Sequence, residues 1–286
     1  MIISYRTAMS PLLPTLAQSL ASGFEVTREG CFLWATDAVV REFSEGAEYV
    51  DPATSRAVFQ FYEQQATAFL RILNDLPPHN LPDGKLLTWL FRCWSNRCIV
   101  IEDFFRLSSD AVRFYPKDCI TSSLSIPIFS AALSSLTLQQ IEPLMATLHY
   151  YHDLFSFAFD KPAVSKFTAS DGKVYTNPPE IQEAVKQLIA SEGQVLVQRI
   201  LTGMMFTFPG ECFPDASSLM MSMFELMPPE AGGWVQSTLQ MLPAGTMKAG
   251  EAERLLNGIS EKVQSGETRK IRALLQGKSP ILLIPQ

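Results

Sequence analysis

The chain has 286 residues, of which 47% are apolar and 18% are charged, so it is not a disordered chain and can bury a large core. Its net charge of -6 argues against a sequence-independent grip on nucleic acid phosphates. Three histidines and five cysteines without paired spacing leave little material for a metal centre or a disulfide framework. We expect reduced thiols, a cytosolic or nuclear protein, no cofactor and no segment that crosses a membrane.

Apolar residues recur at three and four positions along the first half of the chain, which predicts amphipathic helices. The third helix has the clearest start, with Asp51 as N-cap and Pro52 at the first helical position. The predicted helices are Leu12 to Phe24 with a stop at Gly23, Cys31 to Phe43, a helix from Pro52 through Leu73, Ile101 to Phe114, and Lys117 to Ser134 with a kink at Pro127.

The second half continues the same pattern. Thr137 is predicted to cap a helix that runs through Phe159, and a polar loop without helical spacing follows from Asp160 to Pro179. The remaining predicted helices are Glu180 to Phe206, Asp215 to Met227, Gly233 to Leu242, and Gly250 to Gln276 with a break near Gly266.

These helices form pairs that recur at a spacing of roughly 40 residues, which is typical of HEAT and armadillo repeats. No strand pattern, nucleotide-binding glycine motif or nucleophile elbow occurs. We therefore predict an all-α superhelix of about five helix pairs, with A helices outside and B helices lining the concave face. A compact all-α bundle is the structural alternative.

Few residues suggest chemistry, and each has a plainer interpretation. His149 and His152 share a helix face and could begin a zinc site, but a partly buried aromatic-rich helix explains them better. Cys93 and Cys98, with His79 upstream, resemble fragments of a metal knuckle without a second pair.

Two carboxylates, one loop and a group of methionines also have a structural interpretation. Glu102 and Asp103 are predicted at the start of a helix, where they complement its dipole. The loop from Asp160 to Pro179 is interpreted as mobile. An enzyme would need a convergent acid, base or metal cluster, and the sequence supplies none. The methionines are interpreted as core more readily than as an adaptable binding surface: Met204, Met205, Met220, Met221, Met223 and Met227.

Several local strings resemble the fungal mRNA transport regulators, in the transportin-SR and importin-13 branch of the importin-β karyopherins. The resemblance covers roughly residues 3 to 276 and corresponds to the C-terminal part of such a protein. It rests on Ala21-Ser22-Gly23-Phe24-Glu25, Arg28 through Asp37, Glu102-Asp103-Phe104-Phe105-Arg106-Leu107, Phe114-Tyr115-Pro116, Ile126-Pro127-Ile128, Phe206-Thr207-Phe208-Pro209 and Phe213-Pro214-Asp215.

The resemblance implies a nuclear import receptor that shuttles between cytoplasm and nucleus. Such a HEAT superhelix carries RNA-binding proteins with Arg/Ser- or Arg/Gly-rich segments and releases them when GTP-bound Ran binds. It also implies contact with nuclear pore proteins, no direct nucleic acid or membrane partner, and no catalysis. A generic helical scaffold for protein interactions, without transport activity, is the alternative.

The chain is expected to be a fragment, because a whole karyopherin has about twenty repeats. The repeats that contact Ran and nearly all of an arginine-rich cargo helix would lie outside it, and Ser4-Tyr5-Arg6 resembles the end of that helix. No cargo-binding residue is therefore assigned. An uncovered first helix at Leu12, Leu16 and Leu20 predicts self-association.

Two segments depart from the family pattern. Residues 84 to 99 interrupt a stretch that otherwise continues from Leu81-Pro82-Asp83 to Val100-Ile101-Glu102-Asp103, and residues 277 to 286 form an unrelated tail. Both begin with Gly-Lys, which GGTAAG encodes, and GTAAG is a common intron start. The hypothesis is translated intron sequence, with a genuine insertion as alternative. Residues 84 to 99 are predicted to protrude as a loop or loosely docked helix with exposed tryptophan.

Overall fold

The computed structural model describes residues 2–44, 47, 50–74, 85–159, 177–242, 246, 250–265 and 274–275. Side chains are described from residue 5 onward in those ranges, except for 74, 85–98, 263 and 264. The chain divides into two units: residues 1–135 with 165–167, and residues 136–164 with 168–286. The described residues contain helices and no strand, so the predicted all-α class is confirmed.

The first unit contains seven helices among its described residues. They are α1 (Ile2–Met9), α2 (Leu13–Thr27), α3 (Cys31–Glu42), α4 (Pro52–Asn74), α5 (Lys85–Phe114), α6 (Pro116–Thr121) and α7 (Ser125–Ser135), with a short 3-10 turn at Ser10–Leu12. The second unit contains α8 (Ile141–Ser156), α9 (Pro179–Phe206), α10 (Phe213–Leu226), α11 (Pro228–Gln240) and α12 (Glu251–Gln264), with a 3-10 turn at Gly210–Cys212.

The predicted start of the third helix, at Asp51-Pro52, is confirmed by its hydrogen bonds. The Asp51 carboxylate accepts hydrogen bonds from the backbone N–H groups of Ala53 and Thr54, each at 3.0 Å, and from the Thr54 hydroxyl at 2.6 Å. These bonds satisfy N–H groups that no helical carbonyl can reach, and Pro52 lacks an N–H that would need a partner. Asp51-Pro52 therefore fixes where α4 begins.

Other predicted boundaries were wrong. Gly23 does not end its helix: α2 continues to Thr27 and stops at Arg28, which adopts the left-handed conformation with φ 59°. Gly23 is instead a contact point, because a Cβ there would lie 2.2 Å from the Phe32 ring on α3.

Two further boundaries differ because proline tolerates the first turn of a helix. Pro127 does not kink one helix: α6 ends at Thr121, and Pro127 lies in the first turn of the separate helix α7. The helix predicted to start at Thr137 begins at Ile141 instead, after Gln140, with Pro143 in its first turn. The last predicted helix begins as α12, which ends at Gln264 close to the predicted break near Gly266, and residues 266–273 lie outside the described residues.

Within the first unit, helices of one repeat run antiparallel and matching helices of successive repeats run parallel. Gly23 lies against Phe32 and Phe69 stacks on Phe104, which pairs α2 with α3 and α4 with α5. Glu25 binds Arg71 at 2.8 Å, and the Ser10 hydroxyl meets the Thr54 hydroxyl at 2.9 Å. Residue numbers increase in the same direction along both helices from the second of these contacts to the first, so α2 and α4 are parallel.

The second unit repeats this arrangement. α9 lies beside α10, α11 lies beside α12, and α9 runs parallel to α11 through the contacts of Gly193 with Trp234 and Gln194 with Ser237. α8 runs parallel to α10, since His149 faces Asp215 and His152 faces Ser218. Antiparallel pairs that stack in parallel register are the packing of helical repeats, so each unit is consistent with the predicted helical-repeat superhelix.

The segment 85 to 99 is helical rather than a loop. It is the first half of α5, which continues without a break to Phe114, so the helix predicted from Ile101 begins at Lys85. Val100, Phe104 and Phe105 are buried, whereas Ile99 is 49% exposed. The predicted exposure of its tryptophans falls outside the described side chains. The predicted tail 277 to 286 and most of the loop 160 to 179 also fall outside the described residues.

Candidate functional site

The closest helix contact of the first unit is between α3 and α5. These helices are parallel, with Gly30 opposite Asp103 and Asp37 interacting with Asp110. A Cβ on Gly30 would lie 2.2 Å from Asp103 Oδ2, so glycine permits the close approach. Burial, followed by the charge of Glu102, raises the pKa of Asp103 above its ordinary value.

The prediction that Glu102 and Asp103 begin a helix was wrong, because both lie well inside α5. Glu102 forms an ion pair at 2.6 Å with Arg106, which lies one turn further along the same helix. Asp103 fills the space above Gly30. These carboxylates therefore shape the α3–α5 contact, and a role in complementing the helix dipole does not apply to them.

A charged network crosses the same contact. Arg41 binds Asp37 at 2.9 Å and Asp110 at 3.4 Å, and Asp110 also binds Arg113 at 3.5 Å. Asp37 is only 6% exposed. Burial, followed by the Asp110 charge, raises the pKa of Asp37 to about 7, against the opposing effect of Arg41.

Neutral hydrogen bonds surround this network. Gln65 of α4 donates to Thr36 of α3 at 3.0 Å, and the Tyr115 hydroxyl donates to the Phe43 carbonyl at 2.7 Å. Both pairs are buried, so each bond lies where water does not compete. Sequence reasoning missed this site, because its residues are separated along the chain and only the helix register joins them.

The two histidines of α8 lie on the surface shared with α10. His149 Nε2 is 3.9 Å from Asp215, and His152 Nε2 is 3.3 Å from the Ser218 hydroxyl. The neighbouring Tyr150 and Tyr151 are buried. Among the described residues no group of three or more histidines, cysteines or acidic residues could hold a metal ion. This segment is therefore an aromatic-rich helix whose two histidines face outward.

The α8–α10 surface, defined as the outward side chains of α8, α10 and the turn before α10, is acidic. Neither helix contains lysine or arginine. Burial, followed by the charges of Asp215, Glu211 and Glu142 in that order, raises the pKa of Cys212 to about 11, so all three carboxylates act on one thiol. The exposed or half-buried polar residues of this surface are Glu142, His149, His152, Glu211, Asp215, Ser218, Ser222 and Glu225.

Most of the other described cysteines and candidate methionines are buried. Cys31 is exposed, Cys119 is buried, and burial raises the pKa of the Cys119 thiol. The knuckle residues His79, Cys93 and Cys98 lie outside the described side chains. The prediction that methionines form core is confirmed for four of them, with Met205 and Met227 half-buried: Met204, Met220, Met221 and Met223.

One cavity of about 300 Å³ lies between α2 and α4 in the first unit. Its walls are mostly apolar, with the hydroxyls of Ser10 and Thr54 at one side. Its remaining lining is Leu13, Pro14, Leu16, Ala17, Val39, Ala53, Ala57, Val58 and Phe61.

Comparison with known proteins gives several relatives, two of which follow, while no protein-family model matches the chain. An uncharacterised protein of Schizosaccharomyces pombe is 30% identical over 279 residues, which covers 96% of this chain and 27% of that protein. The mRNA transport regulator MTR10 of Saccharomyces cerevisiae is 23% identical over 274 residues, which covers 92% of this chain and 26% of MTR10. The chain is distantly related to a transport regulator.

The chain thus spans about a quarter of the length of the curated relatives it matches. The match to MTR10 supports the distant relationship to importin-β-like proteins that the local strings indicate. The named relative is a transport regulator, and the predicted lack of catalysis stays a prediction. No helix in the described part of the chain is long and apolar enough to cross a membrane.

Proposed function

We propose that the chain is part of a nuclear import receptor of the transportin-SR and importin-13 branch of the karyopherins. The receptor carries RNA-binding proteins with Arg/Ser- or Arg/Gly-rich segments through the nuclear pore, and GTP-bound Ran releases them. The observation that carries the proposal is the match to an mRNA transport regulator over 92% of the chain. The stacked antiparallel helix pairs of each unit support it, because repeat surfaces suit extended partners.

The acidic α8–α10 surface supports a basic cargo. Four carboxylates and no cationic side chain from the two helices give it a negative field: Glu142, Glu211, Asp215 and Glu225. Such a surface attracts arginine-rich segments and repels acidic ones.

The other proposed partners follow from the same resemblance. Ran binds mainly through repeats outside this chain, and nuclear pore proteins make transient contacts during passage. The receptor shuttles between cytoplasm and nucleus, and the protein makes no direct contact with nucleic acid or membrane.

A helical scaffold without transport activity is the alternative function. The full-length product of the gene, loaded with an Arg/Ser-rich cargo, is incubated with GTP-loaded Ran or, as the matched control, GDP-loaded Ran. An import receptor releases its cargo only with the GTP form. Equal retention with both forms identifies a scaffold.

We also propose that residues 1–276 form a C-terminal repeat array, with 84–99 as an insertion and 277–286 as a tail foreign to the family. Both foreign segments are translated intron sequence in this hypothesis. Amplification of cDNA across codons 80 to 104 tests it. The proposal expects a product that lacks 48 nucleotides, three for each of the sixteen residues 84–99. A product that retains them shows a genuine insertion.

A further inference from the structure

The Asp37–Asp110 carboxyl pair joins the first two helix pairs of the first unit. Asp37 lies on α3 and belongs to the pair α2–α3, whereas Asp110 lies on α5 and belongs to the pair α4–α5. The two carboxyl groups lie within hydrogen-bonding reach of each other, and one guanidinium, from Arg41, contacts both. The carboxyl pair therefore lies at the contact between successive helix pairs.

An ionised Asp37 is poorly satisfied here. Its Oδ2 binds Arg41, but its buried Oδ1 has no hydrogen-bond partner among the described residues. A buried carboxylate oxygen without a donor is costly. Two ionised carboxylates cannot hydrogen-bond to each other, whereas a protonated Asp37 can donate to Asp110.

The surrounding charges do not remove this conflict. From α5 the charges that act on Asp37 are Asp110 and Arg106, and from α3 the charge is Arg41. Asp110 also binds Arg113 at 3.5 Å, so this carboxyl group has two arginine partners. From α4 the neutral amide of Gln65 binds the adjacent Thr36.

Charged groups on the other neighbours of α3 have partners elsewhere. Glu25 of α2 binds Arg71 of α4, and Arg6 of α1 binds Glu42 at the end of α3. Glu63 of α4 accepts a hydrogen bond from Ser122. Arg41 and, more weakly, Arg106 favour an ionised Asp37, but burial and the charge of Asp110 outweigh them.

We propose that the Asp37–Asp110 pair is a proton-operated latch: one shared proton closes the α3–α5 contact, and loss of that proton loosens it. The raised pKa of Asp37 places the change in the range between its unfolded value and neutral pH. The folded state then binds one proton more than the unfolded state between about pH 4 and pH 7, so stability falls as pH rises through that range. Above the folded pKa the latch is open and stability no longer changes with this group.

Chemical unfolding of the whole chain across this pH range, together with hydrogen exchange, tests the latch. The unfolding constant should rise up to tenfold per pH unit as the pH approaches neutrality, and exchange in α3 and α5 should accelerate beyond the intrinsic pH effect measured in α8 and α10. Asp37→Asn, which mimics the neutral side chain, should remove both effects, and Asp118→Asn on the exposed start of α6 should keep them.

A second measurement covers the case in which Asp37→Asn does not fold. Carbon NMR of the aspartate carboxyl groups in the unaltered chain should show one group in the first unit that titrates near neutral pH. A latch is contradicted if every aspartate titrates near its ordinary pKa, or if the Asp37→Asn variant keeps the pH dependence of the parent.

Discussion

The hydroxyl of Tyr115 donates a 2.7 Å hydrogen bond to the backbone carbonyl of Phe43 and so ties the end of α5 to the end of α3. Tyr115 is 1% exposed, and its ring packs against Phe59 with centroids 5.6 Å apart. The Ser55 hydroxyl of α4 lies 3.5 Å from the hydroxyl oxygen of Tyr115. One side chain therefore joins α3, α4 and α5 at a common end.

Tyr115→Phe should lower the free energy of unfolding by about 1–3 kcal/mol, because it leaves the buried Phe43 carbonyl without its donor. Urea unfolding monitored by circular dichroism measures this loss. Tyr5→Phe is the matched control, since Tyr5 is half exposed. Equal stability of the two variants would show that the Tyr115 hydroxyl adds nothing to the core.

Gly203→Ala should destabilise the second unit by about 1–3 kcal/mol, because a Cβ would overlap a buried ring. The new atom would lie 2.2 Å from the Phe208 ring, and the Phe208 N–H is fixed to the Gly203 carbonyl at 2.7 Å. Gly233→Ala is the matched control: nothing lies within 4 Å, and α11 should gain about 0.5–1 kcal/mol from a better helix former. A stabilising Gly203→Ala would refute the packing described here.

Asp51→Ala should lower the melting temperature at neutral pH, because α4 loses its cap. The capping hydrogen bonds hold the pKa of Asp51 below its ordinary value, with the Thr54 hydroxyl bond as the first cause. The stabilisation is therefore present above the unfolded pKa and is lost as pH falls through the lower folded pKa. Asp51→Asn keeps an oxygen acceptor and should retain most of the stability but lose the pH dependence. Equal melting temperatures for all three proteins would contradict the cap.

Deletion of residues 84–99 should leave the melting temperature unchanged or raise it. The buried residues Val100 and Phe104 lie outside the deleted stretch, and Phe104 stacks on Phe69 of α4 with centroids 3.7 Å apart. Phe104→Ala is the control for a lost core contact and should cost about 3–5 kcal/mol. A fall of many degrees after the deletion would make the segment an integral part of its repeat.

Local chemistry predicted those elements whose signals act within a few residues. Asp51-Pro52 fixed a helix start because the N-cap bonds are made within one turn. The helix stop predicted at Gly23 was wrong because the small size of this residue permits a contact with Phe32 of the next helix. Arg28, which has no sequence feature of a stop, supplies the left-handed residue instead.

The charged network at α3–α5 could not be predicted from spacing. Asp37 and Arg41 are visible as an i,i+4 pair, but Asp110 joins them only through the parallel register of two helices from different repeats. By contrast, the interpretation of the methionines as core is confirmed for four of the six. The acidic α8–α10 surface likewise needed the register that places His149 beside Asp215.

The affinity of the chain for an arginine-rich peptide tests the proposed import function most directly. Fluorescence anisotropy would compare a labelled Arg/Ser-rich peptide with a peptide of equal length in which glutamine replaces arginine. The account predicts binding of the first peptide only, weakened about tenfold, or 1.4 kcal/mol, in the variant Glu142→Gln, Glu211→Gln, Asp215→Asn, Glu225→Gln. The charge-matched control, Glu183→Gln, Glu230→Gln, Glu253→Gln, Glu261→Gln, should bind like the parent. No binding, or equal binding of both peptides, would contradict a receptor for basic cargo.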